Sequence, residues 1–163
     1  MNYLIRKAGI VLNTKIKQYK IHEVDEILQT EYPINHTVTD TNMSALSLIC
    51  SLPDNMPENK LANQQMLEMV FMHNPNLNHK DMFERTPLHI AARSGNETAV
   101  DMILSKARNP ESEADVIDLE AQSLGGETIL MKAAECGNID ICIQLCKEGC
   151  NPFVQNYNGK TAD

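Results

Sequence analysis

Glu84-Arg85-Thr86-Pro87-Leu88-His89-Ile90-Ala91-Ala92-Arg93-Ser94-Gly95-Asn96 returns further along the chain as Gly126-Glu127-Thr128-Ile129-Leu130-Met131-Lys132-Ala133-Ala134-Glu135-Cys136-Gly137-Asn138. A motif that recurs with its internal spacing intact marks a repeat architecture, in which each unit buries its apolar face only against its neighbours. The motif also carries the local chemistry of a helix. Thr86 can cap, its hydroxyl accepting from an early backbone N–H. Pro87 then falls at the first helical position, where a missing N–H costs nothing. Leu88, Ile90, Ala91 and Ala92 make an apolar first helix, and Gly95 and Gly137 suit the left-handed turn that ends one. The following segments, Ala99, Val100, Ile103, Leu104 and Ile141, Cys142, Leu145, Cys146, have the spacing of a second, amphipathic helix.

Working outward, the helix-opening hydroxyls fall at Ser44, Thr86, Thr128 and Thr161. The steps are 42, 42 and 33 residues (44 to 86, 86 to 128, 128 to 161). A step of 33 with the pattern T-P-L-H-x-A-A-x-x-G resembles the ankyrin repeat. The resemblance implies an all-α solenoid of stacked helix-turn-helix units with short hairpin tips. In its register a basic N-terminal helix or arm covers residues 1–22 and the repeat domain residues 23–163. The latter divides into a partial repeat 23–38, repeats 39–80, 81–122 and 123–155, and a truncated repeat 156–163. His89 is then a structural residue bonding within and between repeats. Two steps carry nine extra residues, expected as loops near Ser51–Ala62, where Pro53 and Pro57 interrupt a helix, and near Arg108–Asp115. Each tip usually turns on glycine. Gly126 and Gly159 comply and Asn42 is a fair substitute, but Glu84 is disfavoured in a left-handed conformation, so a distorted second hairpin is expected.

Charge narrows the partners. The chain has 163 residues and a net charge of -8. Residues 1–22 hold Arg6, Lys7, Lys15, Lys17 and Lys20 and no acid, which leaves nine of the 14 basic residues to face all 22 acids. An acidic body argues against a nucleic-acid binder, which needs a basic face, and favours another protein as partner. The basic start has three open readings: a helix covering the open end of the array, with Leu4, Ala8, Val11 and Leu12 on its apolar face and Ile16 and Tyr19 continuing it; a mitochondrial presequence; or a docking arm for an acidic partner. No apolar run reaches transmembrane length. The cysteines, Cys50, Cys136, Cys142, Cys146 and Cys150, contain no C-x-x-C pair, so no metal site is expected. Their odd count suits an intracellular, reducing compartment, the cytoplasm first, with mitochondrial or ciliary placement as alternatives. Cys142 and Cys146 are expected as small apolar core residues.

No phosphate loop, metal-ligand cluster or nucleophile motif appears, so neither catalysis nor a cofactor is expected. The resemblance implies contacts at the hairpin tips and on the concave side of the first helices. In this sequence those positions include Met82, Phe83 and Arg85, then Leu124, then Tyr157, with Arg93 and Glu135 in the groove. The expected function is a non-enzymatic protein-interaction module, an adaptor or scaffold. Two readings stand beside it: a constitutive subunit of a large assembly, such as a respiratory or ciliary complex, and the targeting domain of a longer enzyme or channel.

Overall fold

The capping hydroxyls set the helix boundaries. In the computed structural model, which describes residues 2–30, 32–37, 39–108 and 116–162, Ser44, Thr86 and Thr128 each accept a hydrogen bond from the backbone N–H three residues on. They open α3 (Ala45–Cys50), α5 (Pro87–Ser94) and α7 (Ile129–Glu135). Each is followed by a second helix: α4 (Pro57–Phe71), α6 (Glu97–Arg108) and α8 (Ile139–Lys147). Ahead of them α1 (Asn2–Lys17) pairs with α2 (Ile21–Gln29). α1, α3, α5 and α7 neighbour one another in one layer, and α2, α4, α6 and α8 form a second layer behind it. Among the described residues there is no strand, only an isolated bridge between Thr37 and Ser44. The all-α stacked array expected from the motif is the observed fold.

Helices of six to eight residues have no stability of their own in water, and here packing supplies it. Every residue of α3 is buried, and Ala45, Ala91, Ala92 and Ala133 are fully so, which lets successive first helices approach closely. Polar side chains then lock one repeat to the next. Asn96, fully buried, donates from Nδ2 to the carbonyls of Ile49 (3.1 Å) and Leu52 (2.8 Å) at the end of α3, and its Oδ1 accepts from the Ala99 N–H (2.9 Å) as the cap of α6. Asn138 repeats the link between repeats, though not the cap, one unit on, donating to Ala92 O at 2.6 Å. His89 bridges forward: Nδ1 accepts from the Thr86 N–H at 3.3 Å and Nε2 donates to Glu127 O at 3.1 Å. That pairing fixes the neutral tautomer. Burial holds its pKa down at about 4. In repeat three Met131 takes the same register. Its sulfur meets the Thr128 N–H at 3.5 Å, but a thioether has no proton to offer the next hairpin.

Four expectations are corrected. The apolar stripe of α1 is not Leu4, Ala8, Val11 and Leu12: Leu12 and Ile16 are fully buried, flanked by half-buried Ile5, Ala8 and Tyr19, while Leu4 and Val11 face outward. The excess of repeat one is only partly a loop. Pro57 opens α4 rather than breaking it, and Ala62 lies inside that helix. In the remaining 51–56 connection Asp54 Oδ2 accepts from both the N–H and the hydroxyl of Thr98 (2.9 Å each), fastening the insert to the start of α6. The hairpin at Glu84 is not distorted. Glu84 takes the left-handed conformation (φ 59°) that Gly126 and Gly159 take (φ 74° each), and all three hairpins close alike: Asp81 N to Arg85 O, Ser123 N to Glu127 O and Asn156 N to Lys160 O at 2.9–3.1 Å. Cys146 is exposed and Cys142 half-buried, whereas Val100 and Leu104, their counterparts in α6, are buried because α8 packs beside that helix. Of the second expected insert, Arg108 ends α6 and forms an ion pair with Glu148. Residues 109–115 lie outside the described part.

Candidate functional site

The hairpins stack into a continuous edge. Met82 N donates to Thr41 O (3.0 Å), Leu124 N to Phe83 O (2.9 Å) and Tyr157 N to Gly125 O (3.3 Å), so each tip is hydrogen-bonded to the one before it. This satisfies the tip backbone and turns the side chains outward. Met82 (55% exposed), Phe83 (44%), Leu124 (65%) and Tyr157 (74%) form an exposed apolar row on three successive tips. The Tyr157 ring lies against Gly126, where a Cβ would meet the ring at 2.6 Å, so only glycine admits this approach.

Arg85 is placed differently from its neighbours. Its guanidinium forks onto the buried Asp81 carboxylate at 2.6 and 2.8 Å, and Asp81 Oδ1 also accepts from the Phe83 and Arg85 N–H groups. The same guanidinium lies 4.7 Å from the centre of the Phe83 ring. Arg85 therefore braces the hairpin and supports Phe83 from below. Glu135 is exposed, and its partner Lys132 bridges it (2.8 Å) to Glu127 (2.7 Å). The hydrogen bond and charge of Lys132 hold the Glu135 carboxyl below the usual range. Arg93 is exposed at the end of α5 and joins no ion pair among the described residues.

Behind the tips, α1, the first hairpin, α3 and α5 enclose an open groove of about 1120 Å³. Arg93 and Ile90 come from α5; Asp40 and Met43 come from the hairpin. α1 supplies Arg6, Ile10, Asn13 and Lys17. The sequence reading did not include these residues in the site, although a signal was there. Spacings of four, three and four put them on one face of a helix, beside the buried stripe of Ile5, Ala8, Leu12 and Ile16. The groove thus brings Arg93 together with Arg6 and Lys17 from the basic start of the chain, while Glu135 and Leu124 lie outside its lining.

Among the described residues no group of three or more His, Cys, Asp or Glu side chains is placed to hold a metal ion, and no helix is long and apolar enough to cross a membrane. Buried His89 is committed to its two hydrogen-bonding neighbours, and burial pushes the Cys50 and Cys150 thiols up. A protein-family model covers most of the sequence. Residues 15–156 match the model described as ankyrin repeats, in 3 copies.

Proposed function

The chain belongs to the ankyrin-repeat family, and from that premise we propose that it is a non-enzymatic adaptor or scaffold that meets a protein partner along its hairpin tips and adjoining groove. Ankyrin repeats are protein–protein interaction modules. The observation that carries the reading onto particular residues is the apolar row of Met82, Phe83, Leu124 and Tyr157, held outward by hydrogen bonds between successive tips. Aromatic and Met side chains are enriched at interface centres. A pre-formed edge also binds without the entropy cost of ordering its own backbone. Free thiols throughout the described chain suit a reducing compartment.

The test is capture of native partners with the intact chain, followed by F83A and Y157A measured against the captured partner. Each substitution removes an anchor and weakens binding by more than about 1 kcal/mol. Both side chains are exposed, so the unfolding midpoint moves little, by no more than the loss of the Phe83–Arg85 and Tyr157–Gly126 contacts. Unchanged affinity in both variants removes the tips from the interface.

A second reading, a constitutive subunit of a larger assembly, draws on the exposed apolar side chains of α8 and the segment behind it. Ile139, Ile143 and Phe153 are exposed there, and Ala134, Cys142 and Cys146 line an apolar hollow beside Ile139 and Ile143. Contiguous exposed apolar surface marks an interaction site or an aggregation liability. A chain that stays monodisperse and unfolds cooperatively by itself favours the adaptor. One that aggregates until a partner is added favours the subunit.

A further inference from the structure

We infer that the groove between α1, the first hairpin and α5 receives an extended acidic segment of another protein, its carboxylates held by Arg6, Lys17 and Arg93 and an apolar side chain seated between them. The inference rests on the protein-binding reading above and adds the chemistry of the partner. Charge is the first argument. The chain carries a net charge of -8, yet this groove is lined by Arg6, Lys17, Arg85 and Arg93 against a single carboxylate, Asp40. Arg85 is neutralised by Asp81. Lys15, Lys60, Lys80, Arg108 and Lys132 elsewhere are ion-paired as well, whereas Arg6, Lys17 and Arg93 join no ion pair among the described residues. Nor do Lys7, Lys20, Lys147 and Lys160, but those lie outside the groove lining, and Glu135 acts on Arg93 only as a more distant charge. Exposed cations converging on one concavity from two helices raise a local positive potential, which an anionic partner relieves. The two arginines offer planar forks that match carboxylate geometry.

The floor gives the second argument. Ile10 is 58% exposed on the α1 face that carries Arg6 and Lys17, and Met43 and Ile90 line the same hollow. Apolar surface between separated cations fits a segment that alternates acidic and apolar side chains. The lining contains no Phe, Tyr or Trp. His36 is its one ring, short of the series of aromatic platforms on which a single strand stacks successive bases, so protein carboxylates fit it better than a nucleic-acid strand. Asn13 adds a polar feature at this wall: its Oδ1 is buried without a hydrogen-bond partner.

The full chain is titrated at low salt with a fluorescein-labelled peptide alternating glutamate and leucine, and in parallel with a glutamine–leucine peptide of equal length and with oligouridylate. The glutamate peptide binds about tenfold tighter than the glutamine one, and the difference shrinks as salt screens it. The combined variant R6E/K17E/R93E loses about tenfold in affinity for the glutamate peptide. R6Q/K17Q/R93Q, which removes charge without reversing it, shows a smaller loss and guards against misfolding. Circular dichroism of both variants matches the parent. Equal binding of the two peptides overturns the inference, as do unchanged binding in the charge variants and tighter binding of oligouridylate. The tip substitutions are read with the captured partner and the substitutions at Arg6, Lys17 and Arg93 with the peptide, so failure of the tip interface and failure of the groove are read separately.

Discussion

Lowering the pH from 7 to 4.5 should remove about 2.5 kcal/mol of stability through His89 alone. The imidazole is fully buried between Thr86 and Glu127 O, and its folded-state pKa lies at about 4 against 6.5 for the free side chain. The folded protein refuses a proton that the unfolded chain accepts throughout that window. The His89 contribution therefore stands intact above pH 6.5 and is lost progressively as pH falls toward 4. Over the whole window the shift corresponds to about 3 kcal/mol, at about 1.4 kcal/mol per unit. By pH 4.5 most of that is gone. Carboxylates elsewhere titrate over the same range, so the comparison needs a control with the same background. H89M supplies it, because Met131 occupies this register in the next repeat without a titrating group. The assay is urea unfolding followed by circular dichroism at pH 7 and 4.5 for both proteins. H89M is the less stable at pH 7, having lost the bond to Glu127 O, and its stability falls by about 2.5 kcal/mol less on acidification. Parallel losses in the two proteins would refute the argument that His89 is held neutral by burial.

Two further outcomes follow from the joints and the strained turn. E84G stabilises the protein by about 1 kcal/mol, because a non-glycine residue at φ 59° carries a steric cost that glycine lacks, offset in part by glycine's greater freedom when unfolded; thermal unfolding reads this as a rise of about 3 °C, and no rise would show that the Lys80–Glu84 pair at 3.0 Å compensates. N96A destabilises by about 3 kcal/mol, since it removes the α6 cap and both amide bonds to the end of α3; a loss under about 1 kcal/mol in urea unfolding would show that the carbonyls of Ile49 and Leu52 find other donors.

The caps, the helix-ending glycines and the two-helix unit were legible because each depends on residues within one turn of chain. Thr86, Pro87 and Gly95 act on backbone groups next to them, so spacing alone identifies them. What the sequence hid depends on neighbours distant along the chain. Nothing local to Arg85 says that Asp81 will be buried beneath it; that follows from the hairpin being stacked against the tips on either side. Glu84 reads as a misfit by its own preference, yet the hairpin closure and the Asp81 fork together outweigh a cost of about 1–2 kcal/mol. Cys142 and Cys146 share the helical register of Val100 and Leu104, but among the described residues no further helix covers them as α8 covers α6. The α1 face of Arg6, Ile10, Asn13 and Lys17 was readable as a face. Its role was not, because only the stacking of α1 beside α3 turns it toward the groove.

Met131 in place of His89 makes the array a series of unequal links. Between repeats two and three the joint has His89 reaching Glu127 O, Asn138 reaching Ala92 O and the Leu124–Phe83 backbone bond. Between repeat three and the last hairpin the imidazole link is gone; the Tyr157–Gly125 backbone bond at 3.3 Å and the amide of Gln122, which donates to Gly126 O and Gln155 O, remain. In a quasi-one-dimensional stack, where each joint contributes its own coupling energy, opening starts where coupling is smallest. Amide exchange at 156–160 should thus run ahead of exchange at 81–85. A partner that grips Tyr157 would gain part of its selectivity from tightening the loosest joint, whereas one seated against Arg6 and Arg93 meets a surface already fixed on both sides.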